Sequence, residues 1–313
     1  MRCLTITLNA AVDTTYVLDR YYQGEVNRIS RKMSAPGGKG NNVARVLALL
    51  GHTVRATGFI GGPTGHYIEQ GLQDLGVEAA FVRVPGDSRS CLTIIERESG
   101  VISELLEPGM AISPAGAETF LRTAPLQARD VDAVVVSGSL PNGLPNNYYA
   151  LLLTALHSSS ALLAFDSSGE ALRHGLSAKP DLIKPNAAEM ASLMGSEGSP
   201  EEMAEWIHRK LIGSVLAPSA KVLLSFGEQG AVLVSQDTAL LASPPAVRVV
   251  NPVGSGDALL AGYLGAISET TEESAALAEA VAVATAAALH ETAGIIHWED
   301  VRAIREDVTL HPL

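Results

Sequence analysis

The sequence predicts an α/β fold in which helices cover both faces of a mostly parallel β-sheet. Three observations lead to this prediction. Short runs rich in apolar and β-branched residues alternate along the chain with longer segments of helical periodicity. Several helical segments end on glycine, the usual residue just beyond a helix C-terminus. The chain has 313 residues and is 47% hydrophobic, which is enough to bury a large core.

The predicted elements follow one another in a regular order. The predicted strands are CLTITLN, TVRATGFIG, AVVVSGS, ALLAFDSS, DLIKPN and KVLLSFG. The predicted helices between them are NNVARVLALLG, GHYIEQGLQDLG, NNYYALLLTALHSS and EEMAEWIHRKLIG. The Ala-rich segment 275–290 is short and contains Glu279, so we expect a close-packed helix there and not a membrane span.

Two stretches interrupt this alternation. Residues 14–35 and 88–107 alternate polar and apolar positions without an intervening helix. We expect them to form a small, half-exposed sheet beside the core, where it would act as the lid of an active site. No linker or repeat divides the chain, so we predict one domain over residues 1–313. An open sheet edge tends to find a partner, and we therefore expect a homodimer through the lid.

Composition excludes several classes of function. The chain carries 22 basic and 34 acidic residues, a net charge of −12, without a basic run, which argues against nucleic acid as a partner. Cys3 and Cys91 have no metal or redox spacing and fit a reducing compartment. The start of the chain lacks the features of a signal peptide, so we expect a cytoplasmic protein without a membrane partner. The histidines show no ligand spacing, and catalytic zinc is not expected.

Nearly every predicted strand is followed by glycines together with a polar or charged residue. Ligands of open parallel sheets bind outside the carboxyl ends of the strands, so this pattern favours one large ligand site over a set of ordinary turns. The polar segments are LNAAVD, GGKGNN, SGSLPNG, DSSG, KPNAAE, SFGEQG and NPVGSGD.

Two of these segments place glycines at the start of a predicted helix. Neither is a Walker A loop or a GxGxxG fingerprint, so neither a P-loop nor a Rossmann dinucleotide site is supported. GGKGNN is either a helix entry with a solvated Lys39 or a site where a polyhydroxylated ligand approaches the backbone, with Asn42 turned toward it. In NPVGSGD, Asp257 either stabilises the positive end of a helix or belongs to an anion site built from backbone N–H groups.

The segment LIKPNAAEM also has two interpretations. Asn186 and Glu189 are three positions apart at the start of a predicted helix, which is the spacing of a capping box. The alternative is that both are oxygen donors for Mg²⁺, directly or through its waters, beside nucleotide phosphates.

Together these segments resemble the ribokinase-like sugar kinases of the phosphofructokinase B family, in the branch that holds tagatose-6-phosphate kinase and 1-phosphofructokinase. The resemblance spans essentially the whole chain and rests on nine motifs in the family's order: TLNAAVD, GGKGNNVARVL, TGFIGGPTG, SRSCLTI, SGSLPNGLP, FDSSGEAL, LIKPNAAE, SFGEQGA and NPVGSGDALLAGYL. It implies a three-layer α/β/α core with a mostly parallel sheet and a small β-sheet lid.

The resemblance also implies an activity, which is ATP-dependent phosphotransfer, with Mg²⁺, to the free primary hydroxyl of a ketohexose phosphate. NPVGSGD and the cysteine of SRSCLTI favour tagatose 6-phosphate as the acceptor, and fructose 1-phosphate is the alternative. A kinase of an unphosphorylated sugar and a silent sugar- or nucleotide-binding protein are the less favoured alternatives.

Finally, the resemblance assigns roles to individual residues. Asp257 is the expected base that accepts the proton of the sugar hydroxyl, and the backbone N–H groups of Gly254, Ser255 and Gly256 form the expected anion hole. Arg89 is expected to hold the substrate's existing phosphate, a task that suits a guanidinium fork. The expected substrate-binding residues are Asp13, Gly38, Lys39, Asn42, Arg89 and Ser139. The expected nucleotide-binding residues are Lys184, Ser225, Gly227 and Gly230, and those associated with Mg²⁺ are Asn186 and Glu189.

Overall fold

A computed structural model describes all 313 residues, and its elements follow the predicted alternation. The strands are β1 (Arg2–Thr7), β2 (Ala11–Leu18), β3 (Arg31–Gly37), β4 (Thr53–Ile60), β5 (Glu78–Ala79), β6 (Val82–Arg83), β7 (Arg89–Glu96), β8 (Ile102–Leu106), β9 (Ala133–Ser137), β10 (Leu162–Asp166), β11 (Leu182–Ile183), β12 (Lys221–Ser225), β13 (Ala231–Val234), β14 (Ala239–Ser243) and β15 (Thr309–Pro312). The helices are α1 (Lys39–Leu49), α2 (Gly62–Gln73), α3 (Pro114–Gln127), α4 (Tyr148–Leu156), α5 (Gly169–Gly175), α6 (Ala187–Met194), α7 (Pro200–Lys210), α8 (Ser255–Ile267), α9 (Glu273–Ala287) and α10 (Trp298–Glu306). None of these helices is long and apolar enough to cross a membrane.

The large sheet has the order β15-β14-β13-β12-β11-β10-β9-β1-β4-β5, and β6 pairs with β4. Its strands from β5 to β12 are parallel, whereas β13, β14 and β15 add an antiparallel edge. The prediction of a mostly parallel sheet is therefore confirmed. The carboxyl ends of the central strands lie at one edge, where the predicted polar segments are found.

Side-chain alternation in the strands divides the core into two layers. In β9, Val134 and Val136 contribute to one apolar cluster and Val135 to the other, because successive residues of a strand point to opposite faces. One face is covered by α1, α2, α8, α9 and α10. The other face is covered by α3, α4, α5, α6 and α7. This is the three-layer α/β/α arrangement that the sequence predicts.

A second, smaller sheet has the order β3-β2-β7-β8 and confirms the prediction of a small separate sheet. The strands β2 and β7 are parallel, and the other two pairs are antiparallel. Its bounds differ from the expected segments, because β2 begins at Ala11 and residues 19–30 form a loop. In that loop the Asn27 side chain bonds to the backbone of Tyr22 and Glu25, which replaces strand pairing.

Candidate active site

The polar residues of the site lie at the carboxyl edge of the large sheet. Asp166 is the last residue of β10, and Lys184 directly follows β11. Two helix starts face the same edge, with Lys39 as the first residue of α1 and Asp257 in the first turn of α8. Parallel pairing of β9, β10 and β11 brings these strand ends together from distant parts of the chain.

A buried ion cluster lies at the centre of this edge. The Asp166 carboxylate is fully buried, with Lys39 Nζ 3.1 Å from its Oδ1 and Lys184 Nζ 3.4 Å from its Oδ2. The Ser137 hydroxyl also donates to Oδ2, at 3.3 Å. Burial alone would raise the pKa of Asp166, but Lys184 and Lys39 hold it below its ordinary value. Because one carboxylate pairs with two ammonium groups, the cluster has a net positive charge and suits an anionic ligand.

Asp166 lies at the centre of the candidate site, although the sequence analysis assigns it no role. The DSSG segment was included among the polar strand ends, but no role was assigned to its aspartate. A lone aspartate after a strand looks like a turn residue, and its two lysine partners are not evident from local sequence. The position at the carboxyl end of a predicted central strand was the only signal.

Asp257 has a different environment, although it lies at the same edge. Its side chain is buried, and its Oδ2 accepts a hydrogen bond of 2.9 Å from Asn42 Nδ2. Burial raises the pKa of Asp257 to about 7; the nearby Asp166 adds to this effect, whereas Lys39, Asn42 and Lys184 oppose it. A carboxylate with this pKa accepts a proton readily at neutral pH.

The turn that precedes α8 presents free backbone donors. Gly254 caps the helix with a φ of 84°, and a Cβ there would lie 2.6 Å from the Cβ of Ala293. The N–H group of Ser255 donates to the Pro252 carbonyl, at 3.1 Å. The N–H groups of Gly254, Gly256 and Asp257 have no acceptor in the chain. The free donors thus differ by one residue from the predicted set, since Ser255 closes the turn and Asp257 contributes its own N–H.

The glycines before α1 bring the backbone close to Asp13. A Cβ at Gly37 would overlap the Asp13 carboxyl group, so the carboxyl group lies directly over this turn. Gly38 has a φ of 91° and caps α1. Burial raises the pKa of Asp13, and the Gly38 backbone together with Arg89 and Arg45 opposes the rise.

Arg89 and Ser139 meet through Asn9, which follows β1. Arg89 donates from Nε to the Asn9 carbonyl and from Nη1 to the Glu107 carbonyl, both at 3.1 Å. Asn9 Nδ2 donates to Ser139 Oγ at 3.1 Å and to the Pro108 carbonyl at 3.2 Å. Arg89 also lines a cavity of about 430 Å³. Its Nη2 has no protein acceptor, so part of the fork is available to a ligand.

The third group of predicted residues lies beside β11 and β12. Asn186 and Glu189 form a capping box, in which the Glu189 N–H donates to Asn186 Oδ1 at 2.8 Å and the Asn186 N–H donates to Glu189 Oε2 at 2.9 Å. Ser225 forms a β-bridge with Asn186. Gly227 is the first residue of the short 3₁₀ turn Gly227–Gln229 that follows, and Gly230 comes directly after this turn.

The structure thus arranges the predicted residues in three contacting groups. Lys39 and Lys184 pair with Asp166, Asn42 bonds to the nearby Asp257, and a Cβ at Gly256 would lie 3.3 Å from Lys184 Nζ. The Arg89–Ser139 group adjoins this cluster, because the Gly138 N–H donates to the Asp166 carbonyl at 2.9 Å. The Asn186–Ser225 group adjoins it through the chain, two residues beyond Lys184.

Comparison with known proteins tests the predicted family and enzyme class. The sequence model of the pfkB family carbohydrate kinases matches residues 6–299. The chain belongs to the pfkB family of carbohydrate kinases. This match confirms the predicted family and the predicted enzyme class, a phosphotransferase.

Individual pfkB proteins resemble the chain along most of its length. A tagatose-6-phosphate kinase from Staphylococcus epidermidis is 35% identical over 275 residues, which cover 86% of this chain and 87% of the relative. Phosphofructokinase-2 from Escherichia coli, in complex with substrates and products, is 27% identical with a TM-score of 0.90 over 98% of this chain and 99% of that chain. A "possible 1-phosphofructokinase" from Thermotoga maritima is 22% identical with a TM-score of 0.87 over 100% of both chains, a likeness of fold alone.

Proposed function

We propose that this pfkB kinase transfers the γ-phosphoryl group of ATP to the free primary hydroxyl of a ketohexose phosphate, with tagatose 6-phosphate as its acceptor. The observation that carries the proposal is the buried Asp257, whose pKa is raised to about 7. It lies beside the free N–H groups of the turn before α8 and near Lys39 and Lys184. The tagatose-6-phosphate kinase relative supports the choice of acceptor.

In the proposed reaction, Asp257 accepts the proton of the sugar hydroxyl while the oxygen of that hydroxyl attacks the γ-phosphorus of ATP. Asn42 orients the carboxylate by its 2.9 Å hydrogen bond. The free N–H groups of Gly254, Gly256 and Asp257 stabilise the charge of the transferring group, and Ser255 holds the turn in shape. Lys184, next to Gly256, adds a positive charge there.

The acceptor binds, in this proposal, between the two glycine-rich turns. Asp13, Gly38 and Asn42 bond the sugar hydroxyls, a role for which the carboxyl group over Gly37 is well placed. Arg89 holds the existing phosphate with its free Nη2, supported by Ser139 and Lys39. Because the chain has a net charge of −12, these local cations must overcome a repulsive long-range field.

The nucleotide binds on the side of Lys184, Ser225, Gly227 and Gly230. Mg²⁺, when bound, would neutralise part of the negative charge of the ATP phosphates, with Asn186 and Glu189 as the residues that would hold it through its waters. The chain has no group of three or more His, Cys, Asp or Glu residues that could hold a metal ion by themselves. Asn186 and Glu189 each use one side-chain oxygen in the capping box, which leaves Glu189 Oε1 to bind an ion through its waters. These residues therefore fit an ion that is held mainly by phosphates and water.

The small sheet provides the proposed homodimer contact. Large apolar side chains are exposed in β8, just before it and in the loop before β3, namely Tyr21, Tyr22, Val26, Ile29, Val101, Leu105 and Leu106. Light scattering on a size-exclusion column tests this contact. We expect the wild-type chain to be a dimer and Leu106→Glu to be a monomer. A monomeric wild-type chain would contradict it.

A coupled ADP-release assay over a panel of acceptors tests the function. The panel contains tagatose 6-phosphate, fructose 1-phosphate, fructose 6-phosphate and the unphosphorylated sugars. We expect the highest kcat/KM for tagatose 6-phosphate. Preference for fructose 1-phosphate would move the chain to the alternative acceptor, and preference for an unphosphorylated sugar would contradict the phosphate role of Arg89. Absence of ADP release with every acceptor of the panel would contradict the proposal as a whole.

A further inference from the structure

Arg45 is a buried guanidinium that neither the family resemblance nor the proposed reaction uses. It lies in the middle of α1, is 4% exposed and forms no ion pair. Burial lowers its pKa to about 10, an effect that Asp13 opposes, so the group stays charged at neutral pH. Burial of a charge costs free energy unless hydrogen bonds replace the lost hydration, so the hydrogen bonds of Arg45 must compensate for its burial.

The guanidinium joins two segments that are far apart in the sequence. Arg45 Nη1 donates to the Ala293 carbonyl at 2.7 Å and to the Pro36 carbonyl at 3.3 Å. Gly294, with a φ of 70°, lies against it, since a Cβ there would be 2.9 Å from Nη1. The side chain therefore fixes the distance between the end of β3 and the loop that follows α9.

These two segments border opposite halves of the proposed site. Pro36 immediately precedes Gly37, over which the Asp13 carboxyl group lies. Ala293 contacts the turn before α8, because a Cβ at Gly254 would be 2.6 Å from the Ala293 Cβ. Asn42, one turn before Arg45 on α1, holds the Asp257 carboxylate. One helix thus contacts the sugar side and the proposed base directly and reaches the anion turn through Ala293.

The loop after α9 is also anchored from other directions. The Glu291 carbonyl accepts from Asn251 Nδ2 at 2.9 Å and from Thr15 Oγ1 of β2 at 3.4 Å. The Glu291 carboxylate pairs with Arg31 of β3 at 3.0 Å. The position of this loop consequently affects both the small sheet and the turn that contains Gly254.

We infer that Arg45 is a positioning residue for phosphoryl transfer, which sets the separation between the sugar side and the anion turn without touching either substrate. The inference rests on the roles proposed above for Asp13 and Asp257. Misplacement of reacting groups by about 1 Å costs on the order of 10²-fold in rate. The loss on removing Arg45 should therefore fall on kcat, whereas ATP should bind with nearly unchanged affinity.

Three variants test the inference. Arg45→Met keeps the length and apolar stem but removes the donors, and Arg45→Lys keeps the charge on a shorter stem without the planar fork. Arg55→Met is the matched control, because Arg55 in β4 donates to the Gln127 carbonyl at 3.1 Å, away from the site. For both Arg45 variants we expect kcat to fall by roughly 10- to 100-fold with KM for ATP within about twofold of wild type. The control should lose thermal stability but keep its kcat.

Two further readouts separate positioning from a purely structural or electrostatic role. The acid limb of the kcat profile should stay near its wild-type pH, because the main causes of the raised pKa of Asp257 are its burial, Lys39, Asp166, Asn42 and Lys184. Hydrogen–deuterium exchange should increase in residues 251–257 of Arg45→Met but not of Arg55→Met. This measurement requires no acceptor, so it tests the inference even if the proposed substrate is wrong.

The inference is overturned by any of three results. Wild-type kcat in Arg45→Lys would show that charge alone is needed. Wild-type kcat in a folded Arg45→Met, or unchanged exchange in residues 251–257, would reduce Arg45 to a structural residue. If Arg45→Met does not fold, Gly294→Ala tests the same contact from the loop side, and wild-type kcat in Gly294→Ala would then overturn the inference.

Discussion

Asp166 and Asp257 are two buried carboxylates at the same edge of the large sheet, and their environments shift their pKa values in opposite directions. Lys39 and Lys184 hold the pKa of Asp166 below its ordinary value. Asp257 has only the Asn42 amide as a direct partner, and burial raises its pKa to about 7. Burial is nearly the same for both groups, so the difference comes from their direct partners.

The comparison separates a structural carboxylate from a reactive one. Because its pKa is held below the ordinary value, Asp166 is ionised at neutral pH and keeps two ammonium groups in place, where they can meet phosphate oxygens. Asp257 is poised between its two protonation states at neutral pH and can act as the base. The two residues also interact, because the charge of Asp166 contributes to the raised pKa of Asp257.

The largest expected effect comes from Asp257→Asn. Removal of a general base lowers turnover by about 10²- to 10⁴-fold, and the amide keeps the size of the side chain, so the fold and nucleotide binding should persist. Steady-state kinetics and ATP titration measure both quantities. If Asp257 only stabilised the start of α8, asparagine would replace it well, and near-normal kcat in this variant would contradict the assignment.

The next effect is the loss of stability in Asp166→Asn. This substitution leaves the buried Lys184 without its carboxylate partner, and breaking a buried pair in this way costs about 3–5 kcal/mol. The partly exposed Lys39 should contribute less, since water can solvate it. Urea unfolding measures the loss. A free energy of unfolding equal to that of wild type would show that Asp166 is not the anchor of the cluster.

Much of this arrangement could be predicted from the sequence, and the remainder has a common physical reason. Lys39, Asn42 and Asp257 were identified because they lie in glycine-rich segments at helix starts, where local sequence carries the signal. Asp166 was missed because its partner Lys39 is 127 positions away, and only the pairing of distant strands brings the two together.

The same limit applies to the other unpredicted features. Arg45 belongs to an ordinary amphipathic pattern, and the carbonyl that it bonds most closely lies 248 residues later. The free N–H groups before α8 depend on the exact turn, in which Ser255 bonds to Pro252. The capping box of Asn186 and Glu189, in contrast, is a local motif, and its spacing was sufficient to predict it as one of two alternatives.

The pH dependence of stability sharpens the comparison of the two aspartates. The folded pKa of Asp257 lies above its ordinary value, so ionisation disfavours the folded state and this group lowers stability as pH rises from about 4 toward 7. The folded pKa of Asp166 is depressed, so its contribution is present above its ordinary pKa and is lost as pH falls through the folded value. A difference of one unit between the folded and the unfolded pKa of a group corresponds to about 1.4 kcal/mol in the free energy of unfolding.

We therefore expect the stability difference between Asp257→Asn and wild type to change by a few kcal/mol between pH 4 and 7, in favour of the variant. The difference for Asp166→Asn should remain flat above about pH 5. Thermal unfolding across this pH range measures both. Parallel pH dependences in the two variants would show that the two carboxylates do not differ as described.

The smallest expected effect concerns a third carboxylate, Glu189, which lies in a capping box and is partly exposed to water. Glutamine also completes a capping box, so Glu189→Gln should cost less than about 1 kcal/mol of stability. The chain offers a matched control in α7, where Ser199 and Glu202 form the same box. Of these two glutamates, only Glu189 contributes to the raised pKa of Lys39 in the ion cluster, together with Asp166 and Asp257. We therefore expect Glu189→Gln to raise the Mg²⁺ concentration for half-maximal rate by a few-fold, whereas Glu202→Gln leaves it unchanged. Identical Mg²⁺ titrations for the two variants would reduce Glu189 to a helix cap, and the ion would then depend on the phosphates alone.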